Sequence, residues 1–159
     1  MRRLLAVLVA VAGLAVAAWL LWPRAHEGDE AQIRAMIADM ATRASQKDFA
    51  WVNDYVSESY RGEGGSKQGL KGYLLGYRMR SDWVTALPGK VEVELAPEAK
   101  TAKVSMVVAL ARKPAEKAED LRSEEIAGVH RIDAELAKEE GDWRVTGARR
   151  RHAPVSDLF

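Results

Sequence analysis

An α+β domain behind an N-terminal transmembrane helix is the fold class the sequence predicts, and three observations predict it. Residues 4–22 carry no charged or strongly polar side chain. Apolar residues then recur at helical spacing as far as Tyr77, and beyond Trp83 the period changes to alternation. The chain has 159 residues and a formal net charge of +1, so a single modest domain follows the apolar segment.

Leu4 to Trp22 covers 19 positions. At about 1.5 Å per helical residue it reaches roughly 28 Å, close to the thickness of a bilayer's hydrocarbon core. Arg2 and Arg3 precede it, and Trp19, Trp22 and Arg24 close it, which predicts a cytoplasmic N-terminus and an interfacial anchor at the far end. A cleaved signal peptide shares the basic start and apolar stretch, and Ala15, Val16 and Ala17 suit a cleavage site. Cleavage there would leave the apolar Trp19 to Trp22 at the start of the mature chain. Both readings stay open, and both export the remainder. The expected organisation is a single-pass anchor in a bacterial inner membrane (residues 1–24), a linker (25–28), a periplasmic domain (29–151) and a tail (152–159). The alternative is release into the periplasm after cleavage.

Composition excludes several classes. No cysteine is present, which removes disulfides, thiol nucleophiles, zinc-thiolate sites and iron-sulfur clusters. With 24 basic and 23 acidic side chains there is no electrostatic footprint for nucleic acid. His26, His130 and His152 have no metal-ligand spacing, so neither metal nor cofactor is expected. Gly62-Glu63-Gly64-Gly65 lacks a preceding strand and the lysine-serine ending of a phosphate loop, and no Gly-x-Ser-x-Gly elbow occurs.

In the exported part, Asp29 with Gln32 forms a capping box for a helix whose buried face is Ile33, Met36, Ile37, Met40, Ala41 and Ala44. Asp48 caps a second, shorter helix with Phe49, Val52, Val56 and Tyr60 as its stripe, broken by Gly62, Gly64 and Gly65. Ser66 opens a third, with Leu70, Tyr73, Leu74 and Tyr77 on one side and Gly69, Gly72 and Gly76 weakening it. Pro88-Gly89 reads as a turn before a strand at Val91, Val93 and Leu95. Ala102 to Ala111 is apolar on both faces, as a central strand needs. Lys113 to Glu125 reads as a charged connection. Val129 to Lys138 and Trp143 to Arg151 then form a hairpin about Glu139 to Asp142. About three helices on one face of a curved antiparallel sheet of about four strands is the expected architecture.

The run Asp54-Tyr55-Val56-Ser57-Glu58-Ser59-Tyr60-Arg61, with Gly65 and Leu70 after it, and the closing Glu135-Leu136 and Glu140-Gly141-Asp142-Trp143-Arg144-Val145 resemble exported bacterial members of the nuclear transport factor 2-like (SnoaL-like, cystatin-like cone) superfamily. The resemblance covers about Asp29 to Arg151. It implies a cone-shaped domain with a pocket between helices and sheet, a scaffold hosting isomerases, dehydratases, hydrolases and many noncatalytic binders. The architecture also resembles type IV secretion assembly factors, which place such a domain after one membrane helix.

Pairing across the hairpin without a bulge puts Leu136 opposite Val145, Ile132 opposite Arg149 and His130 opposite Arg151. His130, Arg149 and Arg151 would then share one face, where they could meet an anionic ligand or simply form a solvated strand end. A bulge would shift the parity and dissolve that group. Tyr55, Tyr73 and Tyr77 are the expected pocket neighbours, able to stack on an apolar ligand and orient it through their hydroxyls. Glu92, Glu94, Asp133 and Glu135 fall on the polar parity of their strands, so no catalytic residue is assigned. The expected function is a membrane-anchored binding or assembly module without catalysis, taking a protein partner or a small apolar or anionic ligand. An isomerase- or dehydratase-like enzyme is the alternative. A homodimer through an apolar sheet face is a further expected association.

Overall fold

The computed structural model describes residues 28–80 and 82–158. The expected membrane segment, residues 4–22, lies outside them, as does His26. Among the described residues no helix is long and apolar enough to cross a membrane.

Three helices come first, α1 over residues 28–45, α2 at Trp51–Tyr55 and α3 at Lys67–Arg80. Four antiparallel strands follow, β1 (Thr85–Leu95), β2 (Thr101–Ala111), β3 (Ile126–Glu139) and β4 (Asp142–His152), paired in the order β1-β2-β3-β4. This is the α+β arrangement the change of period predicts.

One core lies between helices and sheet. Ile33, Met36 and Ile37 of α1, Val52 of α2 and Leu70 of α3 pack on Ala102, Val104, Leu136, Trp143 and Val145. Burying each of the larger side chains stabilises the fold by roughly 1.5–3 kcal/mol. A second core sits on the opposite face of the sheet, where Leu87, Val107, Ala109 and Val129 are covered by Ala118, Leu121, Ala153 and Leu158. The two-sided apolarity of β2 is therefore satisfied within one chain. Within the tail expected at residues 152–159, Ala153 and Leu158 seat against this second core while residues 154–157 are exposed.

Several local expectations are corrected. Asp29 lies within α1 rather than capping it, since its Oδ1 accepts from the Trp143 indole at 3.0 Å and from Lys138 at 2.6 Å. The Asp48 carboxylate accepts from the Ala50 amide two residues on, a local turn, and α2 begins only at Trp51. Tyr60 lies beyond α2 yet stays buried in the same core. Ser66 does cap α3, its Oγ accepting from the Gly69 amide. Pro88-Gly89 is not a turn but part of β1, at an irregularity between Pro88 and Val91. An edge strand tolerates proline there, because no further strand needs its missing N–H.

The hairpin turn is Glu140-Gly141, both at positive φ (53° and 97°), the backbone of a two-residue turn. Pairing holds from Glu139↔Asp142 to Leu136↔Val145, then slips so that Glu135 faces Gly147. Thr146 is the extra residue of a bulge. The cause is visible at the free edge of β4: Ser57 donates to Val145 O at 3.0 Å, Arg61 to Thr146 O at 2.9 Å and Glu63 to Ala148 O at 3.1 Å. The segment after α2 thus runs along β4 and satisfies the carbonyls the bulge turns outward. Gly147 allows a close crossing here, since a Cβ would lie 3.0 Å from Arg61 O and the neighbouring chain would have to give way.

Candidate functional site

The slip at Thr146 decides which arginines face the helices. Past it, Ala134 pairs with Ala148, Ile132 with Arg150 and His130 with His152. Arg150 consequently points to the helix side, while Arg149 pairs with Asp133 and Arg151 with Arg131 on the opposite face. The expected group of His130, Arg149 and Arg151 does not form. Arg151 is spent on the Asp133 carboxylate.

Between the helices and the sheet is a cavity of about 230 Å³. Its walls are apolar, from Ile37 and Met40 of α1, Leu70 and Leu74 of α3, and Met106 and Ile132 of the sheet. Trp51, Tyr60 and Tyr73 also line it, and the expected site residue Arg149 borders it beside Arg150. Of the expected pocket tyrosines, Tyr73 lines the cavity. Tyr77, one turn on, stacks on Tyr73 with centroids 6.4 Å apart. Tyr55 is elsewhere: its hydroxyl donates to Asp39 at 2.8 Å, in a surface cleft shared with Asp54 and Trp143. That hydrogen bond to a carboxylate holds its phenol above the ordinary tyrosine range.

Polar groups at the cavity are few. Glu63 is the sole carboxylate among its lining residues, and it accepts from the Arg150 backbone amide at 3.3 Å. The Arg150 guanidinium lies 5.0 Å from the Tyr77 ring centroid and 5.5 Å from that of Tyr73, a stacked cation on two aromatic faces. The Tyr60 side chain is fully buried, and burial, with the Glu63 carboxylate nearby, raises its pKa against the opposing contact of the Glu63 backbone amide.

His130 sits behind this group. Its Nε2 is 3.4 Å from the Tyr77 hydroxyl, its ring meets His152 edge-on at 5.5 Å, and its Nδ1 is buried without a partner. Burial first, then the Arg150 charge and His152, push it down to about 4, so the ring is neutral at pH 7. No carboxylate orients this imidazole, and among the described residues no group of three or more histidines and carboxylates could hold a metal ion.

Glu92, Glu94, Asp133 and Glu135 line an open cleft together with Arg61, Lys103, Arg149 and Arg151, and Glu63 and Arg150 border it as well. Asp133 accepts there from Ser105 and Arg151, which holds its carboxyl below the usual range. The signs are mixed and balanced, as on a solvated surface.

Sequence reasoning missed Arg150, Tyr60 and Glu63. The available signal was Gly147, a lone glycine inside a strand pattern, which points to a bulge and hence to inverted parity beyond it.

No protein-family model matches the sequence, and no curated protein does. Solved structures do. A protein of unknown function from Pseudomonas putida, described as NTF2-like, superposes with a TM-score of 0.63 at 13% identity, covering 80% of this chain and 88% of that one. An NTF2-like protein with a cystatin-like fold from Novosphingobium aromaticivorans gives 0.61 at 16% identity, over 89% and 88%. A protein from the same organism, provisionally called a scytalone dehydratase, gives 0.63 at 12% identity, over 81% and 87%. At these identities the likeness establishes the fold: helices on a curved antiparallel sheet, the cystatin-like cone.

Proposed function

We propose that this cone-fold domain is a noncatalytic binding module that holds a small, largely apolar molecule between its helices and sheet, and that residues 4–22 tether it to the outer side of a bacterial inner membrane. One observation carries the binding reading: a cavity of about 230 Å³ walled by aliphatic and aromatic side chains, with its single carboxylate engaged on a backbone amide. Proton-transfer catalysis needs a titrating group presented to the ligand and tuned by a partner. Glu63 is occupied, and His130 stands behind Tyr77 with no orienting carboxylate. The tether rests on the sequence of residues 1–24 and would raise the module's effective concentration at the membrane.

Native mass spectrometry of the full-length protein, taken from membranes in mild detergent, tests both parts. A full-length mass with a retained small molecule is expected. A mature mass beginning near Ala18 would remove the tether, and an empty cavity that takes up no apolar probe would remove the binding reading.

A second reading is an isomerase- or dehydratase-like enzyme, favoured by the neutral His130 imidazole 3.4 Å from the Tyr77 hydroxyl and by the name given to one of the similar structures. In that case Tyr77 would relay a proton between His130 and a ligand. Turnover lost in both His130→Gln and Tyr77→Phe, with ligand affinity retained, would support it.

A further inference from the structure

We propose that the cavity takes an organic anion, an apolar one- or two-ring body ending in a carboxylate, and that Arg150 reads the charge. This rests on the reading that the cavity holds a small ligand, and it goes further by assigning the ligand's chemical class.

Arg150 lines the cavity. Its guanidinium makes contact with the faces of Tyr73 and Tyr77, at 5.5 and 5.0 Å, and among the described residues it forms no ion pair. Arg43, Arg112, Arg131 and Arg151 do have carboxylate partners; of the other described arginines without one, Arg61, Arg78, Arg80, Arg122 and Arg149 are exposed and Arg144 donates to the Asp54 carbonyl. The difference has a physical meaning. A half-buried guanidinium beside apolar walls is costly unless an anion and hydrogen bonds offset its lost hydration. Stacking of a guanidinium on aromatic rings leaves its in-plane N–H groups as donors, and a guanidinium so placed can receive a carboxylate in bidentate fashion. Glu63, the nearest acid at the cavity, is directed to the Arg150 amide instead.

The remaining walls set the body of the ligand. Met40, Leu74, Met106, Val108 and Ile132 offer no hydrogen bond beyond their own backbone, and Trp51 adds an aromatic surface. The volume of about 230 Å³ lies below the roughly 300–1,000 Å³ typical of drug-sized ligands, which limits the body to one or two rings or a short chain. Thr146 is what makes the arrangement possible. Without its bulge the Arg150 position would take the opposite parity and leave the helix side.

Calorimetry on the full-length protein in mild detergent, with detergent alone as the blank, tests this with 1-naphthoate against the neutral isostere 1-naphthamide. Naphthoate should bind at least about tenfold more tightly, and added salt should weaken naphthoate and not naphthamide. Arg150→Met should abolish the preference for naphthoate over naphthamide. Equal affinities in the native protein, a salt-independent preference, or a preference surviving Arg150→Met would overturn the assignment and leave the binding reading standing. Failure of both probes to bind the native protein would overturn both. The salt dependence needs no variant, so the test survives if Arg150→Met does not fold.

Discussion

The Trp143 indole donates to Asp29 Oδ1 at 3.0 Å, joining the start of the described domain to its closing hairpin across 114 residues of chain. Asp29 is 7% exposed, and the same oxygen accepts from Lys138 at 2.6 Å. Removing the carboxylate would leave a buried indole N–H and a half-covered ammonium unpaired. Asp29→Ala should therefore cost about 2–3 kcal/mol, the range for leaving donors to a charged group unsatisfied. Trp143→Phe should cost less per lost hydrogen bond but more in packing, and urea unfolding of both with the double variant should show non-additivity. Additive losses would mean that the two residues act independently.

His130 makes the stability pH-dependent in a definite sense. Its folded pKa is depressed, to about 4 against an ordinary 6.5, by burial, Arg150 and His152. Between those values the unfolded chain binds the proton and the folded one does not, so stability falls as pH drops from about 6.5 toward 4. Solvent reaching the half-buried ring lessens the effect, to roughly 1–2 kcal/mol. Thermal melts across this window should show the slope in the native protein, and His130→Gln should flatten it. An equal slope in the variant would place the titrating group elsewhere.

Tyr60 has 0% exposure, and its hydroxyl meets the Glu63 backbone amide only weakly, without a well-formed hydrogen bond. A poorly satisfied buried hydroxyl carries its desolvation cost with little to offset it. Tyr60→Phe should thus be neutral or stabilising by about 1 kcal/mol in urea unfolding, which is the reverse of the usual result for a buried tyrosine. A loss above 1 kcal/mol would mean that the hydroxyl has a partner in solution, such as an internal water.

Much of this fold is readable from residue order, because period and side are fixed by burial on one face: the Ile33 to Ala44 stripe of α1 and the two-sided apolarity of β2 follow directly. Parity, by contrast, is lost at a single extra residue. Thr146 inverts every side chain beyond it, so Arg150, not Arg149 or Arg151, comes to the helix side. The pocket tyrosines divide for a similar reason. Tyr73 and Tyr77 lie one turn apart on α3 and stay together, whereas Tyr55 is drawn outward by Asp39, a contact between residues 16 apart that spacing along one helix does not reveal. The expected membrane segment is the converse case, read from sequence and lying outside the described residues.

The glycines of α3 look equivalent in sequence and should behave oppositely. Gly69 faces the preceding loop, where an added Cβ would fall 1.8 Å from Gly64 O. Gly64 is itself at a φ of 77°, a backbone shape other residues rarely adopt, so that loop cannot easily retreat. Gly72 is exposed, in the helix interior, with nothing within 4 Å of its added Cβ. Gly72→Ala should stabilise the domain by roughly 0.5–1 kcal/mol, through the lower backbone entropy of the unfolded chain and better helix propensity. Gly69→Ala should destabilise it by more than that, because the clash is with backbone rather than a movable side chain. Paired melts of the two variants decide the matter, since a shared gain would mean that Gly69 is merely a weak helix residue and that the α3 entry loop is not packed as described.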